Sequence, residues 1–322
     1  MTRSYRPAAP FERSATRRRS VLKGALGALA GAALAPLAHV GRAATAPTLS
    51  DLGGGFALLE GAGGNVLVRS TDEGQVLVDS GAAAFTDDVL AALAELPGAG
   101  RVGTLFNTHW HLDQVGSNAA LGRAGAAIIA HEKTRVRLAT DYYLRDEERY
   151  QEALPAEAHP TQSFYTNGAT TVGGERIEYG YLIEAHTDGD IYVYFRDSNV
   201  MAVGDVVSPV RDPELDWFGG GWLGGRLDSL ALLLELTDGD TRFVPSYGPA
   251  VGRADVEAEH GMMQTIFDRM FEMIRMGYSA EDMLADGVLE GLGREFEDPF
   301  RFVYAAHKSL WAHHNKLSHD IV

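Results

Sequence analysis

The hydrophobic pattern of this 322-residue chain predicts an α/β (α+β) fold. Three short runs at residues 56–59, 65–68 and 75–78 alternate apolar and small side chains and are separated by turns containing Gly or Asp, the mark of an antiparallel meander. Residues 85–96 then place apolar side chains at helical spacing and stop at Pro97-Gly98. From there strand and helix alternate: a strand at 101–106, a short helix at 118–121 and a buried strand at 126–130. With 45% hydrophobic residues the chain can bury a sizeable core, and it shows no internal repeat.

Residues 1–46 read differently from the rest. Thr16-Arg17-Arg18-Arg19-Ser20-Val21-Leu22-Lys23 resembles a twin-arginine export signal, followed by a mild Ala/Gly/Leu run over 24–38 and a small-residue cleavage site at Ala44-Thr45-Ala46. That run is too short to span a bilayer. The expectation is a periplasmic or secreted protein delivered by the twin-arginine machinery, with no stable membrane insertion after cleavage. The same composition also fits an uncleaved lipid-facing anchor or a disordered tail. Without a single cysteine, the chain depends on no redox compartment.

Further along, residues 131–158 alternate charged and aromatic side chains and predict a solvated helical insertion, either one wall of a cleft or a plain surface helix pair. Strand-like runs follow at 177–183 and up to Asp205, a Leu-rich helix at 226–236 and a last strand at 241–244. From 254 onward the chain reads as helical, with Met262, Ile266, Met270 and Ile274 on one face as core rather than ligands, and a final helix at about 299–316. The tail from His313 to His319 is histidine-rich and binds metal adventitiously at most.

The stretch that carries chemistry is Asn107-Thr108-His109-Trp110-His111-Leu112-Asp113-Gln114-Val115-Gly116. Two histidines two apart on an extended backbone point the same way and can close on one cation, with Asp113 at the same alternation. Imidazole and carboxylate without thiolate suit zinc or a similar borderline transition metal, and there are too few carboxylates for calcium. A His-x-His pair alone is a weak pattern. It gains weight from His186, in Glu184-Ala185-His186-Thr187-Asp188-Gly189-Asp190, and from Asp205, because each stands where a strand gives way to a loop. His131 and His159 lie in no such motif and read as structural.

His-x-His-x-Asp, then His-Thr-x-Gly-Asp, then Gly-Asp after an apolar strand resembles the ordered signature of the metallo-β-lactamase fold superfamily of metallohydrolases. Leu77-Val78-Asp79-Ser80-Gly81 resembles that family's early strand-end motif. The resemblance implies a four-layer αβ/βα sandwich over residues 47–252, with 253–322 a helical extension packed on the same domain. It assigns His109, His111 and His186 to a first metal position, with Asp205 completing the shell or fixing His186. Two positions depart from the pattern. Gln114 stands where the family usually has His, and Tyr247, in Pro245-Ser246-Tyr247-Gly248-Pro249, stands where it has the His of Gly-His-Gly-Pro. Both fall on the second metal position, which keeps only Asp113 and a share of Asp205. One zinc ion is therefore expected, with the second site weak or empty.

A three-histidine zinc with an open position lowers the pKa of bound water to about 7. The expected activity is hydrolysis of a small lactam, lactone or ester, with Asp113 orienting the water or acting as base and Tyr247 donating to the developing oxyanion or leaving group. Gln114 and the aromatics Trp217, Phe218 and Trp222 of the Gly-rich loop at 208–225 are candidates for substrate contact, although those rings also fit simple packing on the sandwich. Beyond residue 46 the chain holds 20 Lys+Arg against 43 Asp+Glu, a formal net charge of −23, which repels nucleic acid and anionic lipid. A catalytically weakened metal- or ligand-binding protein is the alternative that the two lost ligands raise. An iron redox enzyme fits less well, since two iron ligands and the flavin-carrying domain are missing. Oligomeric state is left open.

Overall fold

The computed structural model describes residues 46–98, 101–144 and 148–313, and these described residues fall in one compact unit. The chain opens with β1 (Thr48–Gly53), β2 (Phe56–Ala62), β3 (Gly64–Thr71) and β4 (Gly74–Val78), then α1 (Thr86–Glu95), β5 (Val102–Phe106), α2 (Leu112–Val115), α3 (Asn118–Arg123), β6 (Ala127–His131) and α4 (Glu132–Leu138). A short ribbon of β7 (Tyr142–Leu144) and β8 (Arg149–Gln151) precedes β9 (Gln162–Phe164), β10 (Asn167–Val172), β11 (Glu175–Tyr181), β12 (Ile191–Phe195) and β13 (Val200–Gly204). After α5 (Leu223–Leu236) and β14 (Arg242–Pro245), the chain finishes in α6 (Arg253–Arg275), α7 (Ala280–Ala285) and α8 (Pro299–Ala312).

Seven strands form one sheet in the order β1-β2-β3-β4-β5-β6-β9, and five form a second in the order β10-β11-β12-β13-β14. The first four strands pair antiparallel as a meander; β4, β5, β6 and β9 run parallel, as do β13 and β14. Side chains alternating at period two build the layers. Phe56, Leu58, Leu67, Val76, Val78 and Phe106 meet Ile191, Val193, Phe195, Val200, Ala202 and Val244 in the central core. On the next pleat, Leu59, Val66, Val68, Leu77 and Leu105 face outward against Val89 and Leu93 of α1 and Leu121 of α3. Tyr192, Tyr194, Met201, Val203 and Phe243 face outward from the second sheet onto α5, α6, α7 and α8. The result is helix, sheet, sheet, helix: the four-layer sandwich that the resemblance implied.

Residues 131–158 depart from the expectation. Among the described residues, α4 and a single 3-10 turn at Ala156–Ala158 are helical there, while Tyr142–Leu144 and Arg149–Gln151 pair as a two-stranded ribbon anchored by Trp110 and Tyr142, whose rings meet edge to face at 4.9 Å. Charged residues are too frequent for a helical apolar stripe, and Tyr142, Tyr143 and Tyr150 suit strands. Met262, Ile266 and Met270 are buried in the core, as their spacing requires. His131 stacks on Tyr181 at 3.9 Å and accepts at the start of α4, and His159 donates to the Leu154 carbonyl at 2.8 Å; both act within the fold. The proposed export segment and the tail beyond His313 lie outside the described residues. Among the described residues no helix is long and apolar enough to cross a membrane.

Candidate metal centre

The polar residues that end β4, β5, β13 and β14, together with the loop after β11, gather at one edge of the sandwich. His109 and His111 arrive from the loop between β5 and α2 rather than from an extended strand, and Asp113 lies in the first turn of α2, so the simple alternation read from sequence does not apply. Trp110, buried between the two histidines, packs its ring edge to face on Tyr142 of the ribbon at 4.9 Å and on the His111 ring at 4.6 Å. His186 comes from a tight loop in which Asp190 accepts from the backbone N–H of His186 at 2.6 Å and of Thr187 at 2.8 Å. Asp205 follows Gly204, whose φ of +58° turns the chain beneath Thr108.

The three rings sit at mutual centroid distances of 4.7–4.8 Å, and one nitrogen from each lies within 4.8 Å of the others. A partner on the far nitrogen fixes each ring. His109 Nδ1 lies 3.0 Å from Thr108 Oγ1, whose single proton goes to Asp79 Oδ2 at 2.7 Å, so the imidazole must donate and keep its lone pair on Nε2. His186 Nδ1 donates to the Glu214 carbonyl at 2.9 Å, and His111 Nε2 to Asp216 Oδ2 at 3.1 Å. The inward atoms are therefore His109 Nε2, His186 Nε2 and His111 Nδ1, the last two 3.0 Å apart. Asp205 Oδ2 joins them, 3.7 Å from both His109 Nε2 and His186 Nε2.

His109 Nε2 and Asp205 Oδ2 are buried without any hydrogen-bond partner among the described residues. Acceptors left so are costly unless something positive lies between them. A tetrahedral zinc with bonds near 2.0–2.1 Å needs donors about 3.3 Å apart, a value that the separations of 3.0 Å between His111 and His186 and 3.7 Å from Asp205 to His109 and His186 bracket. The residues thus fit a single ion. Asp205 faces the ion position rather than bracing His186, a task that falls to the Glu214 carbonyl.

The electrostatics separate the imidazoles. Burial, reinforced by the charges of His111, His186 and Arg211, holds His109 neutral. Burial disfavours the His111 cation too, but the Asp216 hydrogen bond and the charges of Asp216, Asp113 and Glu214 outweigh it and raise the ring to about 9. The contrast follows from what backs each ring, a hydroxyl for one and a carboxylate for the other. Asp79 is pushed up to about 8 by burial, against the two bonds it accepts from Thr108. A cation in the adjoining cluster opposes that shift.

Beside the cluster, Tyr247 donates a short hydrogen bond to Asp113 Oδ2, and burial followed by the charges of Asp113 and Asp205 pushes the phenol up, so it stays protonated. Arg211 lies 3.3 Å over the Tyr247 ring and donates from Nη2 to Asp205 Oδ1 at 2.9 Å. A cleft of about 610 Å³ opens onto His111, Asp113 and Arg211, with Trp217 and Phe218 on one wall and Tyr142 and Tyr143 of the ribbon on another.

Two expected substrate contacts are placed elsewhere. Gln114 is fully buried against Gly64, with neither amide atom partnered among the described residues, because α2 turns it away from the cleft. Trp222 stacks on His313 at 4.4 Å and packs on the α5–α8 core. The glycines of that loop also serve a different purpose from the expected approach to substrate. A Cβ at Gly221 would overlap the His186 carbonyl and one at Gly220 would press on Asp188, so the run lets two loops lie against each other.

Sequence reasoning missed Asp216, Glu214, Thr108 and Arg211 as parts of the site. A backbone carbonyl leaves no trace in sequence, but an Asp or Arg in a loop leaving a metal ligand is a signal that was there to follow.

A layered sandwich with three histidines and a carboxylate at one edge of its paired sheets defines a metal-site α/β protein. The chain belongs to the metallo-beta-lactamase superfamily, whose model matches residues 61–249, more than half of its length. Among solved structures it is similar to a metallo-beta-lactamase from Pontibacter korlensis, at 20% identity and a TM-score of 0.55 over 68% of this chain and 99% of that one. It is also similar to the DIM-1 metallo-beta-lactamase, at 17% identity and a TM-score of 0.55 over 69% of this chain and 98% of that one. A third likeness is to the stereoselective inverting sec-alkylsulfatase Pisa1 from Pseudomonas sp., at 14% identity and a TM-score of 0.61 over 83% of this chain and 50% of that one. No curated protein sequence matches it.

Proposed function

We propose that the protein is an exported hydrolase that uses one zinc ion on a small carbonyl-type or ester substrate, a lactam, lactone or ester. The observation that carries this reading is the set of three hydrogen bonds that the imidazoles donate to Thr108, Glu214 and Asp216, which turns three lone pairs onto one point beside an unpartnered Asp205 oxygen. An ion bound there supplies a Lewis acid that ionises water near neutral pH and polarises the scissile bond. Asp113 lines the cleft and holds the Tyr247 hydroxyl with Oδ2, which leaves Oδ1, with no hydrogen bond among the described residues, as the oxygen that would take a proton from the attacking water. Tyr247 remains protonated and anchors that carboxylate. Donation from Tyr247 to an oxyanion requires its hydroxyl to turn away from Asp113, so the two roles exclude each other within one step. Trp217, Phe218, Tyr142 and Tyr143 offer an apolar surface to the rest of the substrate.

The test is metal analysis of protein purified without a His tag, followed by hydrolysis of a β-lactam, a lactone, an aryl ester and a sec-alkyl sulfate with and without chelator. Chelator-sensitive turnover that His111→Ala abolishes is the expected result. Protein without stoichiometric metal, or turnover indifferent to chelator, overturns the reading. The replacements at Gln114 and Tyr247 favour a second reading, a metal- or ligand-binding protein, which one bound ion with no turnover of any substrate would support. Export is tested separately by the N-terminus of protein recovered from the periplasm, expected near residue 47.

A further inference from the structure

Arg211 occupies a place that the mechanism above leaves unused. Asp205 turns Oδ2 to the imidazoles and Oδ1 to Arg211 Nη2, at 2.9 Å. The next carboxylate, Asp113, is taken by Tyr247, and the guanidinium lies 3.3 Å over that same ring. One cationic side chain thus bridges the two groups, Asp205 Oδ1 and the Asp113–Tyr247 pair, that an additional ion beside the histidines would have to use. Arg211 is itself held. Arg294 donates to the Arg211 carbonyl and, from Nη1, to the Ser208 carbonyl at 2.7 Å, while Glu214 Oε2 lies 3.7 Å from Arg211 Nη2.

We propose that Arg211 is a built-in cation that takes the place of a second metal ion and limits the centre to one. This rests on the reading of His109, His111 and His186 as a metal site. A guanidinium keeps its charge at every working pH, so the exclusion is permanent rather than conditional on metal supply. A divalent ion brought within a few ångströms of it meets direct repulsion and finds Asp205 Oδ1 already engaged.

The test counts ions. Zinc binding is followed by native mass spectrometry and chelator competition for the wild type, for Tyr247→His, which supplies a new imidazole beside Asp113, and for Tyr247→His combined with Arg211→Ala. The wild type and Tyr247→His should hold one ion at tenfold metal excess, and the combined variant two, its second site tighter than any in Tyr247→His by at least about 100-fold. A second specific ion in the wild type overturns the proposal. So does equal second-ion affinity in the two variants, or a combined variant that stops at one. Arg211→Lys in the Tyr247→His background keeps a positive charge and should stay at one ion. Arg211→Gln in the same background removes the charge while keeping a donor toward Asp205 and should hold two ions, so the count decides even if Arg211→Ala does not fold. A wild type that binds no ion defeats the metal-site reading itself, whereas one ion throughout defeats only the role of Arg211.

Discussion

Replacing Asp216 by Asn should damage the metal centre more than the loss of one distant charge suggests. The carboxylate accepts twice, from His111 at Oδ2 and from the Gly219 backbone N–H at Oδ1, 2.7 Å away. An amide accepts only through its oxygen. If that oxygen stays with Gly219, the NH2 faces His111 Nε2 and drives the ring proton to Nδ1, the atom that must offer its lone pair to the metal. The loss should therefore reach the upper end of the 10–100-fold range for partners of metal-bound histidines, about 2.7 kcal/mol. A pH signature accompanies it. In the metal-free protein burial of His111 is outweighed by the Asp216 bond and charge, which raise the ring to about 9, so at pH 7 an entering ion displaces a proton. Wild-type log affinity should rise by at least about one per pH unit from 7 to 9, with Asp79 adding to the slope below its own value of about 8. In Asp216→Asn the chief support for the His111 proton is gone, and the slope over the same range should fall by about one. Competition with a chromophoric chelator across that range measures both quantities. Unchanged affinity, or an unchanged slope, would refute the assignment of Asp216 as the partner that sets the His111 tautomer.

Other outcomes follow from the same geometry. Thr108→Val removes the acceptor for His109 Nδ1 and should weaken metal binding by about 10-fold or more, read by the same competition. Stripping metal at 1,000 times its Kd should withdraw about 4 kcal/mol of stability, visible as a lower thermal midpoint in calorimetry. The metal-free protein should itself lose stability as pH rises from about 6.5 to 9. Its His111 is raised from 6.5 to about 9 and its Asp79 from 3.8 to about 8, so the native state binds more protons than the unfolded one until those values are passed. Denaturant titrations at three pH values check that sign, and increasing stability over that interval would contradict it. Arg226→Met leaves the buried Glu259 carboxylate without its charge partner, holding only the Ser208 backbone N–H, since the pair meets at 2.8 Å with both side chains almost fully enclosed; the expected cost is about 3–5 kcal/mol by chemical denaturation. Trp217→Ala should raise KM on any substrate the cleft accepts while leaving zinc content at the wild-type level, a split that steady-state kinetics and metal analysis resolve together.

What the sequence disclosed and what it hid have physical causes. The strands β2 to β6 were legible because each buries two faces or one, and Val, Leu and Ile at period two record that directly. His109, His111 and His186 were legible because ligand types at strand ends repeat a recognisable order. The ribbon at 142–151 was misread as helix because its rings and charges mix in a pattern that its packing on Trp110, a contact remote from local propensity, decides. Strand β12, Ile191–Phe195, went unassigned although all five residues are buried, and β10, exposed on alternate residues, offered no apolar run at all. Gln114 looked like a cleft residue by its neighbours, but a four-residue helix rotates it inward. Arg211 and Asp216 lay in a loop whose course is set by glycines packing against the His186 turn, and only that course brings them to the site.

The segment after β14 changes how the boundaries of this protein should be understood. Asp212 accepts from the backbone N–H groups of Glu297 and Asp298, Arg294 grips the carbonyls of Ser208 and Arg211, and Arg301 reaches Glu214, whose own carbonyl steadies His186. Phe302 and Tyr304 line the cleft as well. Arg294, Glu297, Asp298, Arg301, Phe302 and Tyr304 all lie beyond the span 61–249 shared with the family. A fragment cut at that border would lose the buttress behind its own candidate ligands and one side of its cleft, and silence from such a fragment would say nothing about the intact protein. The shape of the cleft is therefore open to redesign from the C-terminal helices, without touching a single histidine.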